Sequence, residues 1–294
     1  MSQVSLDHVV LLAPRLPRTE ESFRKMGFQV TGGGTHAGGA TRNRLVGLSD
    51  GSYLELLTFS PTGDGPGLFP GSQPISDEAG PGEATEAPPP GLSPMATRFW
   101  QRARRHGPIF DLALRVPDLE GAIEGLRGRD IAVDEAGEGR RTRDDGVELA
   151  WTMAFPRAGA FPFLIQDLTP RQHRVPHGAE TEHPNGVSGV AEVRIPIAPE
   201  EAARLPAWGQ VLGLPLSDRL GHQGWEVMVG EVKLTFLPME EGNRGDGSRY
   251  GIVLRRDDGG DTLSLVGAPA QDRPASTGSL EWELQADTLL GPPA

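Results

Sequence analysis

Leu6-Asp7-His8-Val9-Val10-Leu11-Leu12 is an apolar strand with polar residues near its start, and the chain writes this pattern twice more. The second copy is Ile109-Phe110-Asp111-Leu112-Ala113-Leu114-Arg115, and the third is Val190-Ala191-Glu192-Val193-Arg194-Ile195-Pro196. After each copy comes a short helical stretch and then a glycine turn into another strand. The turns are Met26-Gly27-Phe28-Gln29-Val30, Arg127-Gly128-Arg129-Asp130-Ile131 and Leu212-Gly213-Leu214-Pro215-Leu216. A recurring unit of this kind dictates how the fold is assembled. It also locates chemistry, because a strand that begins with His, Asp or Glu can aim that side chain at one shared concave surface.

Working outward, residues 6–13 read as a nearly continuous apolar strand, covered on both faces. Residues 19–26 read as a helix capped by Thr19 and stopped by Gly27, followed by strands at 28–31, 42–49 and 53–59. The order is β-α-β-β-β. The second unit repeats it with strand 109–115, helix 118–127 and strands at 130–134, 147–154 and 161–167. The third runs through strand 188–197, helix 199–212 and strands 224–230 and 231–237. Residues 250–255 and 262–266 suggest an incomplete fourth copy. The domain reading is a pair of units over 1–170 with a Gly/Pro-rich insertion at 60–93. A third unit plus a partial fourth covers 183–268, and a polar tail covers 269–294, in which Leu280-Glu281-Trp282-Glu283-Leu284 has the alternation of an edge strand. Ser93-Pro94 reads as an N-cap with proline at the first helical position, and residues 169–184 read as an interdomain linker.

Composition narrows the function classes. The chain has 294 residues, 28 Lys and Arg against 40 Asp and Glu, and a net charge of −12. No basic run stands out, which argues against nucleic acid or an anionic membrane as partner. No apolar stretch approaches the ~18 residues of a membrane span. Cysteine is absent, removing disulfides, thiol catalysis and thiolate ligands together. The first strand begins almost at once, leaving no room for a signal peptide. The expectation is a cytoplasmic protein, monomer or homodimer, with a small-molecule ligand. No strand–glycine–helix phosphate loop follows Gly32-Gly33-Gly34, so a nucleotide is disfavoured.

Tandem β-α-β-β-β units, with Leu-Asp-His-Val-Val opening the first and Tyr53-Leu54-Glu55-Leu56 closing it, resemble the vicinal oxygen chelate superfamily. That superfamily includes glyoxalase I, extradiol dioxygenases and bleomycin-resistance proteins. More narrowly, the chain is similar to the glyoxalase-like domain group. The supporting segments are Gly33-Gly34-Thr35-His36 with Thr41-Arg42-Asn43-Arg44-Leu45, Arg141-Thr142-Arg143-Asp144-Asp145-Gly146 with Trp151, Pro162-Phe163-Leu164-Ile165-Gln166-Asp167, and His183-Pro184-Asn185-Gly186. The resemblance implies an α+β fold of paired modules forming half-open barrels. It also implies a divalent metal (Zn, Mn, Fe, Ni or Mg) held in a shared cavity by His8 and Glu55, with Asp111 opposite His8 and Gln166 opposite Glu55. Such an ion acts as a Lewis acid on an enolate or a vicinal oxygen pair. Alternation puts His8 on a face with Val10 and Leu12, and Glu55 on a face with Tyr53 and Leu57. The second unit departs from the metal enzymes' pattern, having neither His in its first strand nor Glu in its last.

Each candidate has a plainer reading. A His at the start of a buried strand is commonly a hydrogen-bonded structural residue, whereas an unpaired buried Glu55 is costly and harder to dismiss. His36 is either a solvated loop residue or a general base. Of Arg42 and Asn43, alternation favours Asn43 as the side chain entering the cavity. Arg141 and Arg143 either grip an anionic substrate in bidentate fashion or offset the neighbouring acids. Trp151 and Trp100 belong to the core or line the pocket. Two function classes follow: a metal-dependent enzyme of lyase or isomerase type acting on a small oxygenated substrate, or a metal-free protein that sequesters a ligand, as bleomycin-resistance proteins do. The absence of a two-His-one-carboxylate set at the expected strands disfavours ring-cleaving dioxygenase chemistry.

Overall fold

The computed structural model describes residues 3–36, 39–59, 92–143, 145–157, 160–217, 224–239, 250–257, 259–260, 262–269 and 280–286. Most of the predicted insertion, residues 60–91, lies outside them, as does the tail apart from 280–286. In the first unit β1 (Ser5–Leu12) leads through α1 (Leu16–Lys25) to β2 (Thr31–Thr35), β3 (Arg42–Gly47) and β4 (Tyr53–Thr58). After α2 (Pro94–His106) the second unit repeats the order with β5 (Ile109–Arg115), α3 (Leu119–Arg127), β6 (Gly137–Thr142), β7 (Glu148–Ala154) and β8 (Phe163–Asp167). The third has β9 (Val187–Ile197), α4 (Pro199–Ala202), α5 (Leu205–Val211), β10 (Leu216–Ser217), β11 (Trp225–Val229) and β12 (Val232–Pro238). Then come β13 (Gly251–Arg256), β14 (Leu263–Pro269) and β15 (Leu280–Ala286).

Two mixed sheets result. The first has eight strands in the order β2-β3-β4-β1-β5-β8-β7-β6, and the second has seven in the order β10-β11-β12-β9-β13-β14-β15. In each unit the first and last strands pair in parallel, while β1–β5 and β9–β13 join units antiparallel. The first sheet curls until its two edges meet: a Cβ on Gly34 of β2 would lie 3.1 Å from Arg141 Cδ of β6. The result is a nearly closed barrel with an interior.

Alternation divides the core. Val9, Leu11, Leu54, Leu56, Leu112 and Leu114 face outward onto the helices and the second sheet, in one cluster that also holds Phe161 and Trp208, stacked at 5.8 Å. Val10, Leu12, Leu57, Phe110 and Phe163 face the barrel interior with Phe99 and Trp100 of α2. Each such large side chain contributes about 1.5–3 kcal/mol when fully buried. Ser93 caps α2, accepting from the Ala96 N–H at 3.2 Å. The helix turns Phe99, Trp100 and Ala103 into the interior cluster, and its Met95 and Phe99 line the barrel's inner cavity. Trp282 of β15 is buried against Phe23 of α1, which brings the tail segment into the second sheet's edge and onto the first unit.

Several local expectations differ. Helix α1 starts at Leu16 with a proline in its first turn, so Thr19 is buried inside it and does not cap it. Residues 28–30 stay outside the ladder, which forms at Thr31–Thr35. There glycine is required for close approach, since a Cβ on Gly33 would fall 2.2 Å from the Asn43 carbonyl oxygen. Residues 130–134 contribute only the Val133–Pro156 bridge; the strand forms later, at β6. The helix expected at 199–212 is broken into α4 and α5, with Pro206 at the start of the second. Among the described residues no helix is long and apolar enough to cross a membrane.

Candidate active site

The polar end of the first barrel gathers His8, Tyr53, Glu55, Asn43, His36 and Arg141 around a small cavity of about 30 Å³. That is room for roughly two water molecules. An outer cleft of about 230 Å³ shares Leu45, Arg141 and Arg174 with it. Parallel pairing of β1 with β4 sets His8 beside Tyr53 and Val10 beside Glu55. The His8 ring stacks on Tyr53 with centroids 4.6 Å apart.

Each imidazole is held by one nitrogen. His8 Nδ1 lies 2.7 Å from Asp7 Oδ1, and a carboxylate only accepts, so Nδ1 carries the proton. His36 Nδ1 meets Thr41 Oγ1 at 2.8 Å. Both Nε2 atoms turn to Glu55: His8 Nε2 stands 3.4 Å from Oε2, and His36 Nε2 stands 3.7 Å from Oε1 and 3.5 Å from Asn43 Nδ2. Asn43 Nδ2 donates to Glu55 Oε1 at 2.5 Å, and Asn43 Oδ1 accepts from the Gly34 N–H at 3.1 Å and Arg141 Nη1 at 3.2 Å. Glu55 is therefore anchored on one oxygen, with the other left to face His8.

Behind His8 stands a buried ion cluster. Arg174 donates to both oxygens of Asp7 at 3.0 and 2.9 Å, to Tyr53 Oη at 2.8 Å and to Asp167 at 2.6 Å, and Arg171 also pairs with Asp7. Burial disfavours the Asp7 charge, but Arg174, the His8 hydrogen bond and Arg171 outweigh it and hold the carboxyl well below its usual range. Burial likewise works against the Arg174 charge, and Asp7 and Tyr53 more than restore it. Burial pushes the Tyr53 phenol far above its ordinary value. Burial also lowers the His36 pKa, with Glu55 opposing, so its neutral form is favoured.

The structure brings together His8, Glu55, His36, Asn43, Arg141 and Trp151, the last presenting its edge to His36 at 6.2 Å. Gly139 opposite Trp151 makes the space, because a Cβ there would lie 2.2 Å from the indole Nε1. Arg143 lines only the outer cleft and pairs with Asp145 at 2.8 Å. Asp111 does not stand opposite His8. The β1–β5 register places Ala113 there and sets Asp111 beside Val10, because the pairing shifts between Leu6 and His8 and again between Val10 and Leu11. Its carboxylate is taken by Arg98 at 2.8 Å and Arg102 at 3.1 Å. Gln166 faces away too, accepting from the Leu119 N–H at 3.0 Å and donating to the Pro117 carbonyl at 3.2 Å at the start of α3. Arg42 is not among the residues lining either cavity.

These placements decide whether the donors fit the divalent ion that the resemblance implies. Among the described residues no three His, Asp or Glu side chains are grouped to hold a metal ion. Asn43 already occupies one oxygen of Glu55, and the second unit offers no donor beside His8. As arranged, the set does not fit a complete coordination shell.

The glyoxalase-like domain family model matches residues 6–212, which takes in both units of the barrel and every residue of this cavity. The chain belongs to the glyoxalase-like domain family. The β-α-β-β-β pairing is that of the vicinal oxygen chelate fold. A hypothetical protein from Staphylococcus aureus has a similar structure, with a TM-score of 0.57 and 15% identity over 81% of this chain and 87% of that one. Lower similarity extends to methylmalonyl-CoA epimerase from Mycobacterium tuberculosis (TM-score 0.36, 15% identity, 58% of this chain and 92% of that one). A xylose isomerase-like TIM barrel/4-hydroxyphenylpyruvate dioxygenase fusion protein is also similar (TM-score 0.42, 12% identity, 82% of this chain and 32% of that one). No curated protein matches significantly. Within this glyoxalase-like chain, sequence reasoning missed Arg174 and the part played by Asp7. Asp7 lay in the quoted motif, and an acid inside a buried strand signals a cation nearby; Arg174 sat in a segment read as linker.

Proposed function

We propose that the barrel cavity catalyses proton transfer on a small oxygenated substrate, in a reaction of isomerase or lyase type, with Glu55 as the base. The supporting observation is one carboxylate flanked by two imidazole Nε2 atoms whose partner nitrogens are already fixed. Glu55 takes the proton from a carbon next to a carbonyl, and the C–H electron pair moves onto the carbonyl oxygen. The proton is then shared with His8 or His36, which are positioned for exchange with either Glu55 oxygen. Returning it to a different face or atom gives an isomer; expelling a leaving group from the enolate gives a lyase product. Arg141, whose Nε has no hydrogen-bond partner among the described residues, supplies a donor for developing oxyanion charge, while Asn43 holds Glu55 in place. Asp7, held by Arg174, keeps the proton on His8 Nδ1 and so keeps Nε2 turned to the cavity.

In this reading the reaction does not depend on a divalent ion. The rival reading, a metal-assisted enzyme, draws on the same two imidazoles facing one carboxylate. Short 2-oxo- and 2-hydroxycarboxylic acids in D2O, followed by proton NMR, test the proposal. The expected result is C–H exchange that is lost in Glu55→Gln and survives EDTA. Exchange restored only by added Zn, Mn, Fe, Ni or Mg supports the rival. Ligand binding without exchange supports a sequestering protein.

A further inference from the structure

Among the described residues three arginines are buried: Arg102, Arg141 and Arg174. Arg102 has Asp111 at 3.1 Å, and Arg174 has Asp7 at 2.9 Å and Asp167 at 2.6 Å. Arg141, only 6% exposed, has no carboxylate oxygen within 4 Å among the described residues. Its Nη1 donates to the neutral Asn43 amide oxygen, and its Nε is buried with no hydrogen-bond partner. Glu55, reached through Asn43, supports this charge only at longer range, and a buried cation without a direct counter-ion is costly, as is an orphaned guanidinium N–H. Yet the barrel is built to accept it: Gly34, at φ +150, brings no Cβ to where one would press on Arg141 Cδ at 3.1 Å. Arg141 is also the side chain at the junction, lining both the inner cavity and the outer cleft.

We propose that Arg141 is the anchor of a carboxylate-binding subsite, so that the substrate is a small monocarboxylic acid held at the junction with its reacting end in the inner cavity. Charge favours a monoanion over phosphate. In the outer cleft Arg143 is neutralised by Asp145, and Arg174 by Asp7 and Asp167, while Glu180 adds a further negative charge to the lining. Only the Arg141 charge is without a direct partner, and a guanidinium edge matches a planar carboxylate in bidentate fashion. Size agrees as well. The inner cavity of about 30 Å³ admits two or three heavy atoms, which suits a short acid whose terminal carboxylate sits at the mouth toward the 230 Å³ cleft. The proposal separates the two arginines that the sequence left equal: Arg141 binds the anion, and Arg143 does not.

The inference rests on the proton-transfer reading only for which end of the ligand reacts, so its test needs no turnover. Binding of propionate, propionamide and inorganic phosphate to the full chain is followed by line broadening of the probe's own NMR signals (proton for the first two, phosphorus for phosphate) and by calorimetry. Propionate is expected to bind the unaltered protein and to bind Glu55→Gln at least as tightly, since the change removes a neighbouring negative charge, with propionamide and phosphate weaker. Arg141→Gln is expected to lose at least about tenfold in affinity, Arg141→Lys to lose less, and Arg143→Gln to change by under about threefold. Thermal unfolding of each variant checks that it is folded. Equal binding of propionate by folded Arg141→Gln overturns the proposal, as does propionamide or phosphate binding as tightly as propionate, or no propionate binding at all. Propionate binding that depends on Arg141, in a protein showing no C–H exchange, leaves this subsite standing while removing the proton-transfer reading.

Discussion

In the first unit the parallel register sets His8 beside Tyr53 and, two residues on, Val10 beside Glu55; in the second it sets Ala113 beside Phe163 and Arg115 beside Ile165. In the third it sets Glu192 beside Lys233 and Arg194 beside Thr235. Because His8 pairs with Ala113 and Val10 with Asp111, the positions of His8 and Glu55 are filled by Asp111, which Arg98 and Arg102 neutralise, and Phe163 in the second copy, and by Glu192 and Thr235 in the third. The second copy has become an apolar wall of the first copy's cavity, with Phe163 and Ile165 lining it. The third keeps polar groups, but they satisfy one another: Glu192 accepts from Thr235 Oγ1 at 2.6 Å and pairs with Arg194 at 3.3 Å and Lys233 at 3.4 Å. In the first copy the polar groups are fixed from behind and left facing each other across gaps of 3.4 and 3.7 Å. Polarity alone does not distinguish a site from a scaffold; hydrogen-bonding capacity left open inside a cavity does.

The hardest blow to that contrast removes the support behind the first copy. Arg174→Ala leaves Asp7 and most of Asp167 buried without their main cation and is expected to cost about 3–5 kcal/mol in urea unfolding. A loss under about 1 kcal/mol would show that the cluster is not what orients His8. Glu55→Gln should act on turnover instead. The expected fall is about 10²–10⁴-fold in C–H exchange, with little change in unfolding midpoint. Gly34→Ala sharpens the comparison from the edge of the barrel. The strained φ and the 3.1 Å approach to Arg141 predict about 1–3 kcal/mol of destabilisation and weaker carboxylate binding.

Titration separates the copies by sign. Burial depresses the pKa of His36, and of His183, whose Nε2 also donates to the Gly47 carbonyl at 2.7 Å. The unfolded chain binds those protons first, so stability is full above the ordinary histidine value of about 6.5 and falls as pH drops toward the folded values. Asp7, also depressed, adds a second loss at lower pH, through and below the usual carboxylate range. Urea midpoints measured across pH should show both stages, and His36→Gln should flatten the first. A profile that stays level from pH 7 to the carboxylate range would contradict the burial of the imidazoles.

The module order was legible because glycine turns and apolar strands recur at unit spacing, and Gly27, Gly128 and Gly213 all end helical stretches. His8, Glu55 and Asn43 could be placed on the inner face because period-two alternation holds along β1, β3 and β4, whereas no strand was expected at β6 and Arg141 could not be told from Arg143. Asp111 was misplaced where alternation fails: shifts in the β1–β5 register move every later residue by one, and nothing in an apolar strand announces a bulge. Arg174 escaped notice for another reason. It lies in an irregular segment between two 3₁₀ turns, Arg171–His173 and Gly178–Thr181, where no period applies. Its role depends on a partner 167 residues away.

The smallest predicted effect bears most directly on the difference between copies. Glu192 is the positional equivalent of His8, and burial raises its pKa, but Thr235, Arg194 and Lys233 together lower it on balance. Its stabilising share is therefore present above the ordinary glutamate value and lost as pH falls through the folded one. Lys233 and Arg194 are each more than a third exposed or close to it, so solvent screens the cluster. Glu192→Gln is accordingly expected to cost under about 1 kcal/mol in urea unfolding and to leave propionate binding in the first barrel unchanged. The same Glu→Gln change at position 55 abolishes exchange if the contrast between the copies is real. Should Glu192→Gln reduce C–H exchange as strongly as Glu55→Gln, the third copy would have to be counted as part of the working site, and closure of its hydrogen bonds would no longer mark it as scaffold.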